Sequence, residues 1–534
     1  MLPEFKVLVL LPVVLAAVSI LATRLKMPPA ILLVLAGVLL ALTPGLPTVT
    51  LAPSFVLLFV LPPVIYSSAV AMSWRDFRFS IRPISMLSIG CVVFTTWATA
   101  AAAHWLLGLP WPEGFVLGAI VSPPDAVAPL ALARKMRLPR RLLVILEGEG
   151  LANDATALVL YRFAVVAVSV GAFSLGHALV TFAEITAGEV LWGLAVGWSM
   201  LKFRHWVRDP KLEILLSVLT PFLSYWPPQL AGGSGVLATV TCGLYISWNG
   251  LRLISAPTRL QGIFFWDFLI YCTEGMLFLV TGLQARTLAG AFYTYETWQL
   301  ILSALSVSAV IIVARFVWMY PATYLPRWLI RAIRHRDPSP PWQWPFLLAF
   351  TGVRGIVSLT AALAIPFTIA GGNPFPERNL ILFLTFCVIF VTLVGQGLTL
   401  PAVTRALGLA HAGRRERQDE RNEELKARRR AIEEAIERLE ALAEERQLPE
   451  SVVRPLRALY RDRLRHVEHR NDSDARHKKL VDLGDEIEFS LIDAERNLIN
   501  NLYRNGELKD EPRRRIEHQL DLHDAHLANL RAGE

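Results

Sequence analysis

Residues Glu147 to Asp154 read Glu-Gly-Glu-Gly-Leu-Ala-Asn-Asp, three carboxylates and an amide in one short stretch. An apolar helical run, Ala155 to Tyr161, follows at once, and Asp125 upstream also has apolar flanks. Burying an ionised carboxylate in hydrocarbon costs roughly 2.5–3.5 kcal/mol on insertion scales. Acids placed in such surroundings point to a task. A carboxylate at Asp154 can hold a dehydrated alkali cation or a proton, but not both well. Binding the cation expels the proton, and that competition is sufficient for exchange. Asn153 offers an amide oxygen and two N–H donors, so it can bridge a broken segment without adding charge. One titrating carboxylate here, rather than an adjacent pair, favours swapping one proton for one monovalent cation, which is electroneutral.

Glu149 needs a counter-charge. Arg315 and Arg354 are the guanidinia inside apolar runs. Arg315 is assigned to Glu149 as a structural ion pair, because Arg354 has another use. Asp267 and Glu274 are further acids in an apolar run, placed either at an entrance or at the membrane interface.

The elements that must position these groups are membrane spans. A helix needs about 20 apolar residues to cross hydrocarbon. Such runs give thirteen spans, near 5–23, 29–45, 51–73, 83–107, 112–134, 140–170, 186–203, 211–227, 231–249, 262–284, 298–321, 342–369 and 379–401. Clusters such as Arg75/Arg78/Arg82 and Arg134 to Arg141 follow every second span, while the alternate loops carry little more than Arg286 and Arg378. Basic loops stay in the cytoplasm, so the N-terminus is expected outside and the C-terminal tail inside, in a multi-pass protein of the cytoplasmic membrane. The first run lacks a cleavage site and its positive charge follows it, so it reads as a retained span.

Two spans are interrupted. Ser122-Pro123-Pro124-Asp125 lies within the fifth and Thr351-Gly352-Val353-Arg354-Gly355 within the twelfth. Prolines remove backbone donors and glycines loosen the chain; such backbone is tolerated at membrane depth only where it is buried or lines a cavity. Their separation by seven spans suits two inverted six-helix repeats with two broken, crossing helices, a pointer to a transport site. Helix ends carry about half a charge each. Asp125 suits the facing N-termini and Arg354 the facing C-termini.

The composition sets the frame: 534 residues, 54% of them hydrophobic, with a net charge of +8. Residues 1–405 are almost continuously apolar and residues 411–534 almost continuously charged, giving a transmembrane exchange domain and a helical cytoplasmic domain. The positive charge serves the loops rather than a nucleic acid. Cys91, Cys242, Cys272 and Cys387 all lie in apolar runs and read as packing residues. In the tail, apolar residues such as Leu425, Ile432, Ile436 and Leu439 recur at helical spacing, and amphipathic faces are expected to pack together, on a partner or in a dimer. Of the tail's histidines, His411, His466, His469, His477, His518, His523 and His526, a pH-sensing role is conceivable, but ordinary surface positions explain them better.

Gly232-Gly233-Ser234-Gly235 is superficially like the serine motif of intramembrane proteases, but that chemistry needs a membrane-embedded base and the one histidine in a span, His104, lies near the span's outer end. Small residues for close helix contact explain it better. No enzyme activity and no cofactor are expected.

Four motifs, Leu61-Pro-Pro-Val-Ile-Tyr66, Ser122-Pro-Pro-Asp-Ala-Val-Ala128, Glu147-Gly-Glu-Gly-Leu-Ala-Asn-Asp154 and Thr351-Gly-Val-Arg-Gly355, occur in this order. Together they resemble the electroneutral sodium–proton exchangers of the monovalent cation–proton antiporter superfamily, in its bacterial branch, over residues 1–405. The resemblance implies that Asp154 binds Na⁺ and H⁺, and that Asp125 completes the site with backbone carbonyls such as that of Pro124. It implies that Glu149 pairs with Arg315, that the chain is a homodimer, and that a six-helix core moves like an elevator against a dimerisation domain. Three positions depart from the pattern. Gly150 stands where serine is common, Ser67 where an acid is common, and Ala126 where proline is common. Ser67 or water could supply the missing oxygens. The expected activity is exchange of Na⁺, or Li⁺, for H⁺. K⁺/H⁺ exchange on the same fold is the nearest rival, and a non-transporting membrane sensor the more distant one.

Overall fold

The computed structural model describes residues 2–43, 52–170, 175–207, 209–250, 254–286, 295–369, 372–471 and 475–532. Its chain contacts divide into two units, Met1–Arg414 and Arg415–Glu534.

The first unit is a stack of apolar helices. In chain order they are α1 (Leu2–Leu25), α2 (Pro29–Ala41), α3 (Pro53–Ala71), α4 (Trp74–Leu107), α5 (Trp111–Val121), α6 (Val127–Lys135) and α7 (Arg140–Val170). There follow α8 (Leu175–Trp206), α9 (Pro210–Leu230), α10 (Val236–Asn249), α11 (Ala256–Leu283), α12 (Thr297–Leu329) and α13 (Arg331–Arg336). The unit closes with α14 (Gln343–Phe350), α15 (Ile356–Leu363), α16 (Arg378–Ala406) and the start of α17 (Leu409–Glu445). Among the described residues seven helices are long and apolar enough to span a bilayer: α3, α4, α7, α8, α11, α12 and α16. Among the described residues the one β pairing is an isolated bridge between Thr368 and Pro374.

Proline marks where these long helices loosen. Pro62 and Pro63 in α3, Pro83 in α4 and Pro401 in α16 each lack an N–H, and each lies close to a π-helical turn, Val56–Val60, Met86–Cys91 and Val391–Gln396 respectively. A π turn shifts the hydrogen-bond ladder by one residue, a local change that often marks functional sites. The two expected breaks are present: α5 stops at Val121 and α6 begins at Val127, while α14 stops at Phe350 and α15 begins at Ile356.

Small residues bring the helices close. Gly37 of α2 and Gly282 of α11 face one another so tightly that a side-chain carbon at either would collide with the other helix's backbone. Apolar association between membrane helices depends on such close packing, because lipid offers no hydrophobic drive between them. One core cluster joins α5, α12, α15 and α16 around Val116, Ile311, Leu384 and Val388. A second joins α2 and α11 to the broken segments through Leu33, Leu279, Val353 and Leu393.

The second unit contains the rest of α17, then α18 (Glu450–Asn471), α19 (Ala475–Arg504) and α20 (Asp510–Ala532). Ile492, Leu520 and Leu527 form its small core between α19 and α20. Arg457 of α18 forks onto Glu440 of α17 at 2.6 and 2.8 Å. His523 approaches Glu488 at 3.1 Å and His518 is exposed, while the side chains of His411, His466, His469, His477 and His526 lie outside the described residues.

Candidate cation and proton site

The site is built where the two broken helices meet. At the first break the Asp125 N–H donates to the carbonyl of Val353 in the second, at 2.7 Å. One Asp125 carboxylate oxygen accepts the Val127 N–H at 2.9 Å, and the carboxylate lies against Gly355, the residue before the first turn of α15. Asp125 therefore sits on the N-termini of both α6 and α15, where unpaired N–H groups favour an anion. Gly355 makes this possible. A side-chain carbon there would collide with the Asp125 carboxylate.

The opposite helix ends are met by two guanidinia rather than one. Arg354 Nε donates to the Val121 carbonyl at 2.7 Å and its terminal nitrogens to the Ser122 carbonyl, at 3.2 Å, and to that of Gly352. That covers the end of α5. At the end of α14, beside the Gly352 carbonyl that Arg354 meets, Arg315 donates to the Leu348 carbonyl at 3.1 and 2.9 Å. Arg354 thus reaches carbonyls at both breaks, and Arg315 adds a second guanidinium beside it; a mid-span arginine carries no spacing signal for a carbonyl many residues away. Thr392, in the π turn of α16, accepts the Arg354 N–H at 3.0 Å and was not singled out from the sequence.

Arg315 has a second role. Its terminal nitrogens fork onto Glu149 at 2.5 and 2.8 Å, with both side chains only 2% exposed. Parallel charge-assisted bonds of this kind are strong and geometrically demanding. The pair ties α7 to α12, and its bond to Leu348 extends the tie to α14.

Asn153 is fully buried and donates its amide to the Pro124 carbonyl at 2.6 Å. The amide oxygen has no partner among the described residues. One residue on, Asp154 has no hydrogen-bond or ion-pair partner among the described residues. It lines a cavity of about 400 Å³ together with Asp125, Pro124 and Gly150. Asp154 and Asp125 are close enough to repel electrostatically. Ser67 of α3 and Asp267 and Glu274 of α11 line the same cavity. Arg134 and Glu147, paired with one another, lie at the end toward the basic loops.

Two departures from the familiar pattern touch each other. A side-chain carbon at Gly150 would lie 2.6 Å from the Ala126 methyl. Gly150 is thus the space into which Ala126 fits. The serine of the Gly232–Gly235 segment is engaged otherwise. The Ser234 hydroxyl meets the buried Glu189 carboxylate at 3.0 Å, while the His104 ring donates to the Leu109 carbonyl at 2.8 Å. These contacts form no nucleophile–base pair. Among the described residues no cluster of three histidine, cysteine or acidic side chains could hold a metal ion.

The chain is similar to known proteins. Residues 10–406 match the family described as "Sodium/hydrogen exchanger, transmembrane". An uncharacterized Na⁺/H⁺ exchanger of Mycobacterium tuberculosis is 34% identical over 541 aligned positions, covering 98% of this chain and 96% of the relative. A sodium, potassium, lithium and rubidium/H⁺ antiporter of Bacillus pumilus is 32% identical, over 69% of this chain and 56% of its own length. The solved sodium–proton antiporter MjNhaP1 of Methanocaldococcus jannaschii superposes with a TM-score of 0.60 at 18% identity, covering 76% of this chain and 97% of that one, a likeness of fold. With a family match spanning both breaks and the Asn153–Asp154 pair, this multi-pass membrane protein belongs to the sodium/hydrogen exchanger family.

Proposed function

We propose that the chain is a secondary antiporter that exchanges one Na⁺, or Li⁺, for one H⁺ at Asp154, without net charge movement. The observation that carries this reading is the unpartnered Asp154 carboxylate, which shares a cavity with Asp125 at the crossing of two broken helices. Hard alkali cations prefer oxygen ligands. The carboxylates of Asp154 and Asp125, the free lone pair of the Pro124 carbonyl, Ser67 and water provide them. Asn153 holds the Pro124 carbonyl in place and adds no charge. Protonation of Asp154 removes the charge that attracts the cation, and the cation in turn displaces the proton.

In this reading residues 1–405 cross the cytoplasmic membrane thirteen times as two inverted six-helix repeats, with the N-terminus outside. Residues 411–534 form a regulatory domain in the cytoplasm. The helices around the breaks move as an elevator against a dimerisation domain, and two chains form the homodimer. Truncation at about residue 410 is expected to leave flux intact and shift its pH profile.

K⁺/H⁺ exchange is the second reading. It is favoured by Gly150, which adds no side-chain oxygen to the cavity, and by the potassium in the name of the Bacillus pumilus relative. Proteoliposomes with an imposed pH gradient decide between them. Dissipation on adding Na⁺ or Li⁺ but not K⁺ supports the first reading, dissipation by K⁺ the second, and no response to any cation a sensor.

A further inference from the structure

A second cavity, of about 390 Å³, shares no lining residue with the Asp154 cavity and is walled by residues of the basic segments. Its wall holds three guanidinia, those of Arg75, Arg78 and Arg336, and three aromatic rings, those of Trp74, Phe79 and Trp248. Asp76 is the one carboxylate in that wall, and it is engaged by Arg140 at 2.7 Å.

The neighbouring arginines make the contrast. Asp337 takes Arg82 at 2.6 Å, Arg141 at 2.5 Å and Arg327 at 2.7 Å. Arg75, Arg78 and Arg336 have no hydrogen-bond or ion-pair partner among the described residues. Three like charges around one hollow repel, and a bound anion would offset them. They come from separate parts of the chain, α4 and α13, and the fold places them around the same space.

The cavity's height in the membrane follows from its rings. Trp74 is the first residue of α4, and Trp248 lies in the last turn of α10. Phe79 is 53% exposed and Trp248 58% exposed. Tryptophan and arginine at the ends of apolar helices lie at the membrane–water boundary. Guanidinium groups fork onto phosphate oxygens, and basic pockets between membrane helices on the side of the basic loops suit phospholipid headgroups. A soluble phosphate would use only the guanidinia. The exposed rings beside them suit a ligand with an apolar body as well.

We infer that this pocket binds the headgroup of an anionic phospholipid, with its phosphate on Arg75, Arg78 and Arg336 and its acyl chains along Phe79 and Trp248. The lipid would bridge α4, α10 and α13. The site is independent of cation choice at Asp154.

Thermal unfolding of the full chain in detergent tests this, with added phosphatidylglycerol, phosphatidylcholine or inorganic phosphate. Phosphatidylglycerol is expected to raise the melting temperature saturably, and the other two are not. The combined variant Arg75→Gln, Arg78→Gln, Arg336→Gln should lose that rise, while Arg331→Gln with Arg334→Gln, outside the cavity wall, should keep it. An undiminished response in the combined variant overturns the proposal. So does an equal response to phosphatidylcholine, and an equal response to phosphate would assign the pocket to a soluble anion instead. If the combined variant does not fold, Arg336→Gln alone, at the exposed end of a helix of 6 residues, must weaken the response, and an unchanged response again overturns the proposal.

Discussion

Asn153 of α7 donates its amide to the carbonyl of Pro124 at 2.6 Å, across 29 positions of chain. The bond joins an unbroken helix to a broken one. It fixes the first break against α7, and so fixes Asp125 relative to Asp154. Pro124 cannot satisfy that carbonyl through a regular helix, because the break interrupts the ladder.

Asn153→Ala should therefore cost more than a surface change. The buried Pro124 carbonyl loses its donor, worth about 1–3 kcal/mol. The expected outcome is a lowered melting temperature together with reduced flux. Asn153→Asp, which faces the carbonyl with an acceptor, should be at least as damaging by both measures.

Arg315→Ala leaves Glu149 buried without its counter-charge and frees the Leu348 carbonyl. Breaking a buried pair from one side costs about 3–5 kcal/mol. Yield of folded protein and melting temperature should both drop. Replacing both partners, Glu149→Gln with Arg315→Met, should recover part of the loss, since no lone buried charge remains. Normal melting of Arg315→Ala would argue against the pairing as a structural tie.

Gly355→Ala tests the tightness of the crossing. Its φ of −142° is open to any residue, so the methyl acts only through its collision with the Asp125 carboxylate. Asp125 is held by the Val127 N–H and must shift. Displacing a reacting group by about 1 Å can cost on the order of 100-fold in rate. Exchange should fall by that order while the helical content measured by circular dichroism stays unchanged.

Much of this site can be read from residue types alone. Asp125, Asn153 and Asp154 stand out because charge and amide are costly in apolar runs, and the Pro-Pro and Gly-Val-Arg-Gly segments stand out because they cannot continue a helix. The Glu149–Arg315 pair follows from the same cost, as each leaves the other the nearest compensation. Other features are invisible at that level. The service of Arg315 to the end of α14, the hydroxyl of Thr392 under the Arg354 N–H, and the fit of Ala126 into the space at Gly150 all depend on which helices cross. No local spacing encodes that. The π turns near Pro62, Pro83 and Pro401 belong to the same class, because a proline announces a loosened helix without saying how the ladder is repaired.

The central claim is that Asp154 carries the proton and the cation in turn. Asp154→Asn keeps the shape and removes the titrating charge. Purified and reconstituted beside the parent protein, it should melt at the same temperature or higher and give no cation-dependent dissipation of an imposed pH gradient. Full exchange by the folded Asp154→Asn variant would contradict the account.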